Sequence, residues 1–146
     1  MKAIVMYASI TGNNEEIAEF VQEELNNRGV ETEIEDLFDG DEDAADDKDL
    51  IIVSPYTYDK GSIPSEMIDF FESLNDKDWT GKQYVVIGSG DRFYGKDFGA
   101  ATDRFDEQMK KTGATELSGP FKIHTRIDDN DKAALRTLFD ARLPKG

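Results

Sequence analysis

The sequence predicts an α/β fold built on a doubly wound, five-stranded parallel sheet in the order 2-1-3-4-5, with helices on both faces. Short apolar runs alternate with segments of helical periodicity along all 146 residues, which is typical of βαβ units. Two of those runs, "LIIVSPY" and "QYVVIGSG", are continuous, as strands buried on both faces require. Right-handed crossovers leave the doubly wound order as the commonest topology, and we expect residues 1–146 to form a single domain.

In the first third of the chain, two predicted strands flank a helix. The first strand is Ala3 to Tyr7, and the second is "VETEIEDL", whose alternation is typical of a half-buried strand near a sheet edge. Gly29 ends the helix between them, because glycine suits the left-handed residue after a helix end. The apolar face of this helix contains Ile17, Phe20, Val21 and Leu25.

The rest of the chain alternates strand and helix in the same way. The third and fourth strands are "LIIVSPY" and "QYVVIGSG", and "GPFKI" is the fifth. Thr112 and Gly113 end the helix that precedes the fifth strand. The helices after these three strands have apolar faces formed by Met67, Phe70, Phe71 and Leu74, by Phe98, Ala101, Phe105 and Met109, and by Leu135, Leu138 and Phe139.

Composition and charge exclude several functions. The chain has 32 acidic and 17 basic residues and a formal charge of −15, so neither nucleic acid nor an anionic membrane is expected as a partner. Long-range attraction favours a partner with a basic surface. The absence of cysteine excludes disulfides, thiolate nucleophiles and Cys-ligated clusters. No run approaches the ~20 apolar residues of a membrane span, and the N-terminus does not resemble a signal peptide, so we expect a cytoplasmic protein.

One segment, Asp39–Asp49, has seven acids among eleven residues. Charge runs of this kind are usually solvated, so we expect a loop or a short frayed helix. A metal site or a docking surface is the alternative, although the segment lacks the spacing and closing glutamate of an EF-hand.

Three segments follow strands at the edge where such sheets bind ligands: Ala8–Asn14, Ser54–Pro64 and Gly88–Gly99. The first, "SITGNN", precedes a helix, where unpaired N–H groups and hydroxyl or amide side chains suit a phosphate. Simple helix capping by Asn13, with Glu16 three residues later, is the alternative. The sequence lacks the P-loop and dinucleotide-binding patterns, and it lacks the acids of a receiver domain at the corresponding strand ends.

The second and third segments add aromatic rings and glycines. Tyr56 and Tyr58 lie in the second, and "GSGDRFYGKDFG" in the third has four glycines and three aromatic residues. Glycine allows the backbone to approach a ligand closely, and aromatic rings beside exposed N–H and C=O groups suit a planar ring. Together the three segments predict a ligand that is flat at one end and phosphorylated at the other.

These motifs resemble those of the short-chain flavodoxins. The family's [ST]-x-T-G-x-[TS] is matched from Ser9 to Asn13, and Asn14 stands where Thr or Ser is usual. "TYDKG" takes the place of a motif similar to T-W-G-D-G, and "GSGD" begins a match to G-[SC]-G-D-x-x-Y-x-x-F-C/G-G. The resemblance covers nearly the whole chain, and the lack of a long insertion in the last strand indicates the short-chain branch.

The resemblance implies bound FMN and a function as a low-potential one-electron carrier between a reductase and acceptor redox enzymes, with no catalytic or metal site. The implied partner is a basic-surfaced protein such as a ferredoxin/flavodoxin–NADP reductase, and the implied state is a monomer. A flavin reductase acting on quinones and an activator of ribonucleotide reductase are the alternatives on the same fold. The implied cofactor residues are Ser9, Ile10, Thr11, Gly12, Asn13, Asn14, Pro55, Tyr56, Thr57, Tyr58, Asp59, Lys60, Gly61, Ser89, Gly90, Asp91, Tyr94, Phe98 and Gly99.

The resemblance also implies a role for each group. The residues that hold the phosphate are Ser9, Thr11, Gly12, Asn13 and Asn14. Tyr94 stacks on the outer flavin face, Tyr58 covers the inner face, and the Asp91 backbone binds the pyrimidine edge. Asp59 and Lys60 stand where glycine and an acid are common, and we expect them to bring the two one-electron potentials closer together. We expect Trp79 to serve packing, His124 to have a structural or surface role, and Lys60, Arg92 and Lys96 to lie at the loop surface.

Overall fold

The computed structural model describes residues 1–8, 12–37, 43–56, 65–90 and 100–143. The strands are β1 (Lys2–Tyr7), β2 (Glu31–Asp36), β3 (Leu50–Ser54), β4 (Gln83–Gly90), β5 (Thr115–Glu116) and β6 (Phe121–His124). The helices are α1 (Asn13–Asn27), α2 (Ser65–Ser73), α3 (Ala100–Lys111) and α4 (Asp129–Arg142), and a short 3₁₀ helix covers Leu74–Asp76. No helix within the described ranges is long and apolar enough to cross a bilayer.

The sheet is parallel, and its strands follow the predicted order 2-1-3-4-5. Its last position is shared, because β5 pairs with the start of β4 and β6 pairs with the end of β4. Leu117 turns inward between the two segments, where it is buried and its N–H donates to the carbonyl of Tyr84 at 2.7 Å. The sequence predicted a single fifth strand at "GPFKI" and missed the two-residue segment before it.

Two hydrophobic cores cover the faces of the sheet. Alternate residues of β1 point to opposite sides, so that Val5 packs in the core under α1 and α4 while Ile4 packs in the core under α2 and α3. The predicted apolar faces of the helices fill these cores. The first core contains Ile17, Val21, Leu25, Leu135 and Phe139, and the second contains Met67, Phe70, Leu74, Phe105 and Met109. Burying each such side chain stabilises the fold by about 1.5–3 kcal/mol.

The edge strand β2 confirms the half-buried pattern predicted for it. Thr32 is buried between the exposed Glu31 and Glu33. Charged residues on an edge strand discourage pairing with another chain. Glu33 also reaches Lys48, whose ammonium lies 3.2 Å from its carboxylate.

The described end of the acidic segment, residues 43–49, is a turn with exposed acids, as expected, and it is also attached to the rest of the protein. Ala45 is buried in the second core. The ammonium of Lys77 lies 2.5 Å from Asp43 and 3.0 Å from Asp46, and the indole N–H of Trp79 donates to Asp46 at 3.0 Å. Asp43 and Asp46 therefore attach the segment to the turn before β4. Within the described ranges, no group of three or more acids or histidines could hold a metal ion.

Candidate functional site

The carboxyl ends of β1, β3 and β4 meet at one edge of the sheet, as the sequence predicted. The N–H of Ala8 lies 3.4 Å from the carbonyl of Ser54, and the N–H of Ser89 donates to the carbonyl of Pro55 at 2.9 Å. Tyr56 pairs with Ser89 in an isolated parallel bridge. The beginnings of the second and third predicted segments therefore lie side by side.

Only part of the predicted cofactor set falls within the described residues. The structure describes Gly12, Asn13, Asn14, Pro55, Tyr56, Ser89 and Gly90, all at or just beyond these strand ends. The other predicted residues lie outside the described ranges: Ser9, Ile10, Thr11, Thr57, Tyr58, Asp59, Lys60, Gly61, Asp91, Tyr94, Phe98 and Gly99.

Gly12 is the N-cap of α1, and its backbone is left-handed with φ 87°. Gly12 has no side chain with which to cap this helix, and the N–H of Glu16 donates to the carbonyl of Gly12 at 3.1 Å. The alternative of a capping box from Asn13 and Glu16 is therefore wrong, because Asn13 is already the first helical residue. A Cβ added at Gly12 would meet no atom of the described residues within 4 Å, and the left-handed backbone conformation favours glycine here.

Glu16, in the first turn of α1, pairs with an arginine from the far end of the chain. The Arg126 Nε lies 3.0 Å from Glu16 Oε2, and the Arg126 side chain is 71% exposed. Arg126 follows Thr125, a β-branched residue with φ 53° whose N–H donates to the carbonyl of Gly90 at 2.7 Å. Sequence reasoning found no cation for this end of the site, because the pair joins positions 110 residues apart.

Asn14 lies beneath the strand ends with a side chain that is almost completely buried. Its Nδ2 lies 2.9 Å from the carbonyl oxygen of Pro55, and 3.2 Å from both the carbonyl and the hydroxyl of Ser54. Its Oδ1 accepts a hydrogen bond of 2.6 Å from the Ser89 hydroxyl. The amide thus contacts both other strand ends, and a phosphate contact by Asn14 stays a prediction.

Gly88 allows α3 to approach β4 just below this edge. A Cβ at Gly88 would lie 1.8 Å from Thr102 Oγ1 and 3.0 Å from the carbonyl oxygen of Pro55. The Thr102 hydroxyl is buried and has no hydrogen-bond partner in the described part of the chain. Gly88 therefore serves packing beneath the site.

The site is electrostatically negative on the β1 side. Burial raises the pKa of the Tyr7 hydroxyl, and the nearby carboxylates of Asp36, Glu15 and Glu19 raise that pKa further. A negative charge is therefore costly at this position. The pair between Glu16 and Arg126 removes part of the negative charge from the first turn of α1.

The described residues fit the FMN that the sequence motifs imply. Gly12 precedes a helix at the strand ends, and backbone N–H groups at helix starts favour phosphate. Asn13 adds an amide donor in the first turn, and Gly90, in the glycine-rich third segment, ends β4. When bound, FMN supplies the redox chemistry, while the protein binds it and orients it.

Comparison with known proteins gives one consistent result. The flavodoxin family model matches residues 5–141. Probable flavodoxin 1 of Bacillus subtilis is 30% identical over 138 residues, covering 94% of this chain and 87% of the relative. A short-chain flavodoxin associated with a non-canonical PDU bacterial microcompartment is 38% identical with a TM-score of 0.93, covering 98% and 97% of the two chains.

Two further matches agree with this result. The flavodoxin of Streptococcus pneumoniae TIGR4 is 36% identical with a TM-score of 0.91, covering 96% of each chain. A bifunctional cytochrome P450/NADPH–P450 reductase of Bacillus cereus is 31% identical over 123 residues, which are 81% of this chain and 11% of that protein. The chain therefore belongs to the flavodoxin family of electron-transfer proteins, whose cofactor is FMN.

Proposed function

We propose that this flavodoxin is a low-potential one-electron carrier that takes electrons from a reductase and passes them to acceptor redox enzymes. Membership of the family over residues 5–141 is the observation that carries this proposal. The strand-end chemistry supports it, since the described donors suit a phosphorylated flavin. We further propose that residues 1–146 act as one FMN-binding domain and that the protein is a monomer.

The proposed cofactor site combines the described strand ends with the neighbouring motifs of the sequence. The first segment holds the phosphate through backbone N–H groups, hydroxyls and the Asn13 amide. Tyr58 and Tyr94 cover the two flavin faces, and each such stacking contact contributes about 0.5–1.5 kcal/mol beyond burial. The backbone around Asp91 binds the pyrimidine edge.

Surface charge supports a partner with a basic docking face. Seven of the described cations already pair with acids of this same chain: Arg28, Lys48, Lys77, Lys110, Lys122, Arg126 and Arg136. Each of these pairs joins one acid to one cation, so the formal net charge of −15 is left to attract a basic protein. A ferredoxin/flavodoxin–NADP reductase is the kind of donor that this charge suits.

The name of the B. cereus relative combines a cytochrome P450 with an NADPH–P450 reductase, and this chain matches 11% of that protein. The segment that this chain resembles is thus part of a protein that bears both names. We propose that the present chain exchanges electrons with separate proteins of those two classes.

Steady-state assays with purified protein test the proposal. FMN released from the protein should account for its visible spectrum, and NADPH oxidation should begin only when a reductase is added. An acceptor protein should then be reduced in proportion to the amount of flavodoxin. NADPH oxidation with a quinone and no added reductase would identify a flavin reductase instead, and stimulation of ribonucleotide reductase alone would identify an activator.

A further inference from the structure

We propose that the Asn14 side chain is a positioning group that locks the three cofactor segments together, and that it does not bind the FMN phosphate directly. The proposal rests on the cofactor site proposed above and assigns this chain's own amide a different task within it. Asn14 stands where the family pattern has a hydroxyl residue.

The contacts of the Asn14 amide reach the ends of β3 and β4 from α1, the helix that follows β1. Asn14 is the last residue of the first segment and belongs to the first turn of α1. Its Nδ2 lies 2.9 Å from the Pro55 carbonyl and 3.2 Å from the Ser54 carbonyl, where the second segment begins. Its Oδ1 accepts from the Ser89 hydroxyl at 2.6 Å, where the third segment begins.

Chemistry explains why an amide is needed for this task. An asparagine side chain has two N–H donors and a carbonyl acceptor on opposite arms of a plane, whereas a hydroxyl has a single donor on a shorter side chain. The Nδ2 donors can serve the carbonyls of the second segment while Oδ1 accepts from the third. Threonine or serine at position 14 could not make the same set of bonds.

Burial makes these hydrogen bonds costly to lose. Asn14 is 1% exposed, Ser54 is 0% exposed and Ser89 is 5% exposed, so water does not readily replace a lost partner. The Pro55 carbonyl accepts from both the Asn14 amide and the Ser89 N–H, at 2.9 Å each. Removing the amide would leave buried polar groups of both segments without this partner, and those segments would shift relative to α1.

The two roles predict different responses to flavins with and without a phosphate. If Asn14 positions the segments that surround the ring, Asn14→Ala weakens FMN and riboflavin binding by similar factors, each at least fivefold. If its amide binds phosphate directly, the same change weakens FMN binding and leaves riboflavin binding unchanged. Asn13→Ala is the matched control, because the proposed site gives that neighbouring amide a phosphate contact and predicts a loss for FMN alone.

Ser89→Ala provides an independent test from a distant part of the sequence. Ser89→Ala should weaken the binding of both flavins in the same way. The Asn14→Ala/Ser89→Ala double variant should lose less flavin affinity than the product of the two single fold-changes. Both single variants should also shift the one-electron potentials of bound FMN, a readout that phosphate contacts far from the ring would not change. If Asn14→Ala does not fold, Ser89→Ala carries the test, because it removes the hydroxyl that donates to Asn14 Oδ1 and introduces no charge.

Titration of apoprotein with FMN and with riboflavin, followed by flavin fluorescence, measures these effects. Parallel losses in both Asn14 and Ser89 variants support the positioning role. An FMN-only loss in Asn14→Ala, or unchanged affinity for both flavins, overturns it. Failure of the unmodified apoprotein to bind FMN would overturn the proposed function itself, so the two failures are distinguishable.

Discussion

At the level of single residues, Arg126 adjusts the charge at the start of α1. It pairs with Glu16 in the first turn, next to the proposed phosphate site. Without Arg126, the Glu16 carboxylate would repel a bound phosphate more strongly. Because Arg126 is largely exposed, the effect is screened and small, on the order of 0.2–1 kcal/mol.

We therefore expect Arg126→Gln to weaken FMN binding by about 1.4- to fivefold and to leave riboflavin binding unchanged. Lys132→Gln is the matched control, since it removes one positive charge from α4, where Lys132 lies over the Phe20 ring. Fluorescence titrations at low and high ionic strength measure the effect, which should disappear in ~1 M salt. Equal losses for the two flavins, or a loss that salt does not change, would contradict this electrostatic role.

Asp46 has a structural role within the acidic segment. It accepts the indole N–H of Trp79 at 3.0 Å and pairs with Lys77, while Trp79 is 2% exposed. We expect Asp46→Ala to lower the free energy of unfolding by about 1–3 kcal/mol, because it leaves a buried N–H without its partner. Urea denaturation followed by the fluorescence of Trp79, the only tryptophan, measures this change.

Asp69→Ala is the matched control for Asp46, since it removes an exposed acid from α2 and gives the same change in net charge. That control should alter stability by less than ~0.5 kcal/mol. If the Asp46 and Asp69 variants are equally stable, the acidic segment is not attached through Trp79.

At the level of elements, the packing of α3 on β4 depends on Gly88. A Cβ there would lie 1.8 Å from Thr102 Oγ1, so Gly88→Ala should destabilise the protein by about 1–3 kcal/mol. Thr102→Ala removes that oxygen and should partly restore stability in the double variant, although the Thr102 Cβ remains 3.0 Å away. Gly119→Ala is the control, because a Cβ there meets no atom within 4 Å.

Thermal or urea unfolding of the single and double variants measures the coupling between Gly88 and Thr102. Thr102→Ala alone should cost little, because its hydroxyl is buried and has no partner in the described part of the chain. Strictly additive effects of the two substitutions would show that the clash with Thr102 is not the cause.

Helices α1 and α4 are joined by ion pairs that span the sequence. Arg28 lies 2.7 Å from Asp140 and 3.3 Å from Glu24, and Glu24 also accepts from Arg136. The guanidinium of Arg136 lies over the Phe20 ring at 5.3 Å. These contacts cover the edge of the first core and hold α4, the last helix, against α1.

Elements with a strong hydrophobic period were predictable from the sequence, and long-range polar contacts were not. Val5 and Ile52 belong to apolar runs, and Ile17 and Phe105 lie in apolar patterns with helical spacing. These patterns alone identify the strands and helices, and all four residues are buried in the two cores. The split of the last strand depends on the inward turn of Leu117, which no local pattern indicates.

The same distinction applies to the candidate site. Motif spacing indicated which strand ends would meet, because the ends of parallel strands lie at one edge. The Asn14 contact with Ser89 and the Arg126 contact with Glu16 join positions 75 and 110 residues apart. Such partners are determined by the packed fold, so local sequence assigned Asn14 to the phosphate and gave Arg126 no role.

At the level of the whole molecule, the same excess of negative charge should have opposite effects on folding and on association. With 32 acids and 17 cations, like charges repel within the folded chain, while a basic partner is attracted over a distance. Both effects weaken when salt shortens the Debye length, from ~30 Å at 0.01 M to ~10 Å at 0.1 M.

Raising the salt concentration over this range should therefore increase the free energy of unfolding and decrease the association rate with a basic reductase by about tenfold. Urea denaturation and stopped-flow reduction of the FMN-loaded protein, in the same buffers, measure the two quantities. Sodium chloride and choline chloride should act alike, since screening depends on ionic strength and not on a specific cation. A reduction rate that does not change with ionic strength would contradict electrostatic docking. A free energy of unfolding that does not change with ionic strength would show that attraction within the internal ion pairs offsets the repulsion between like charges.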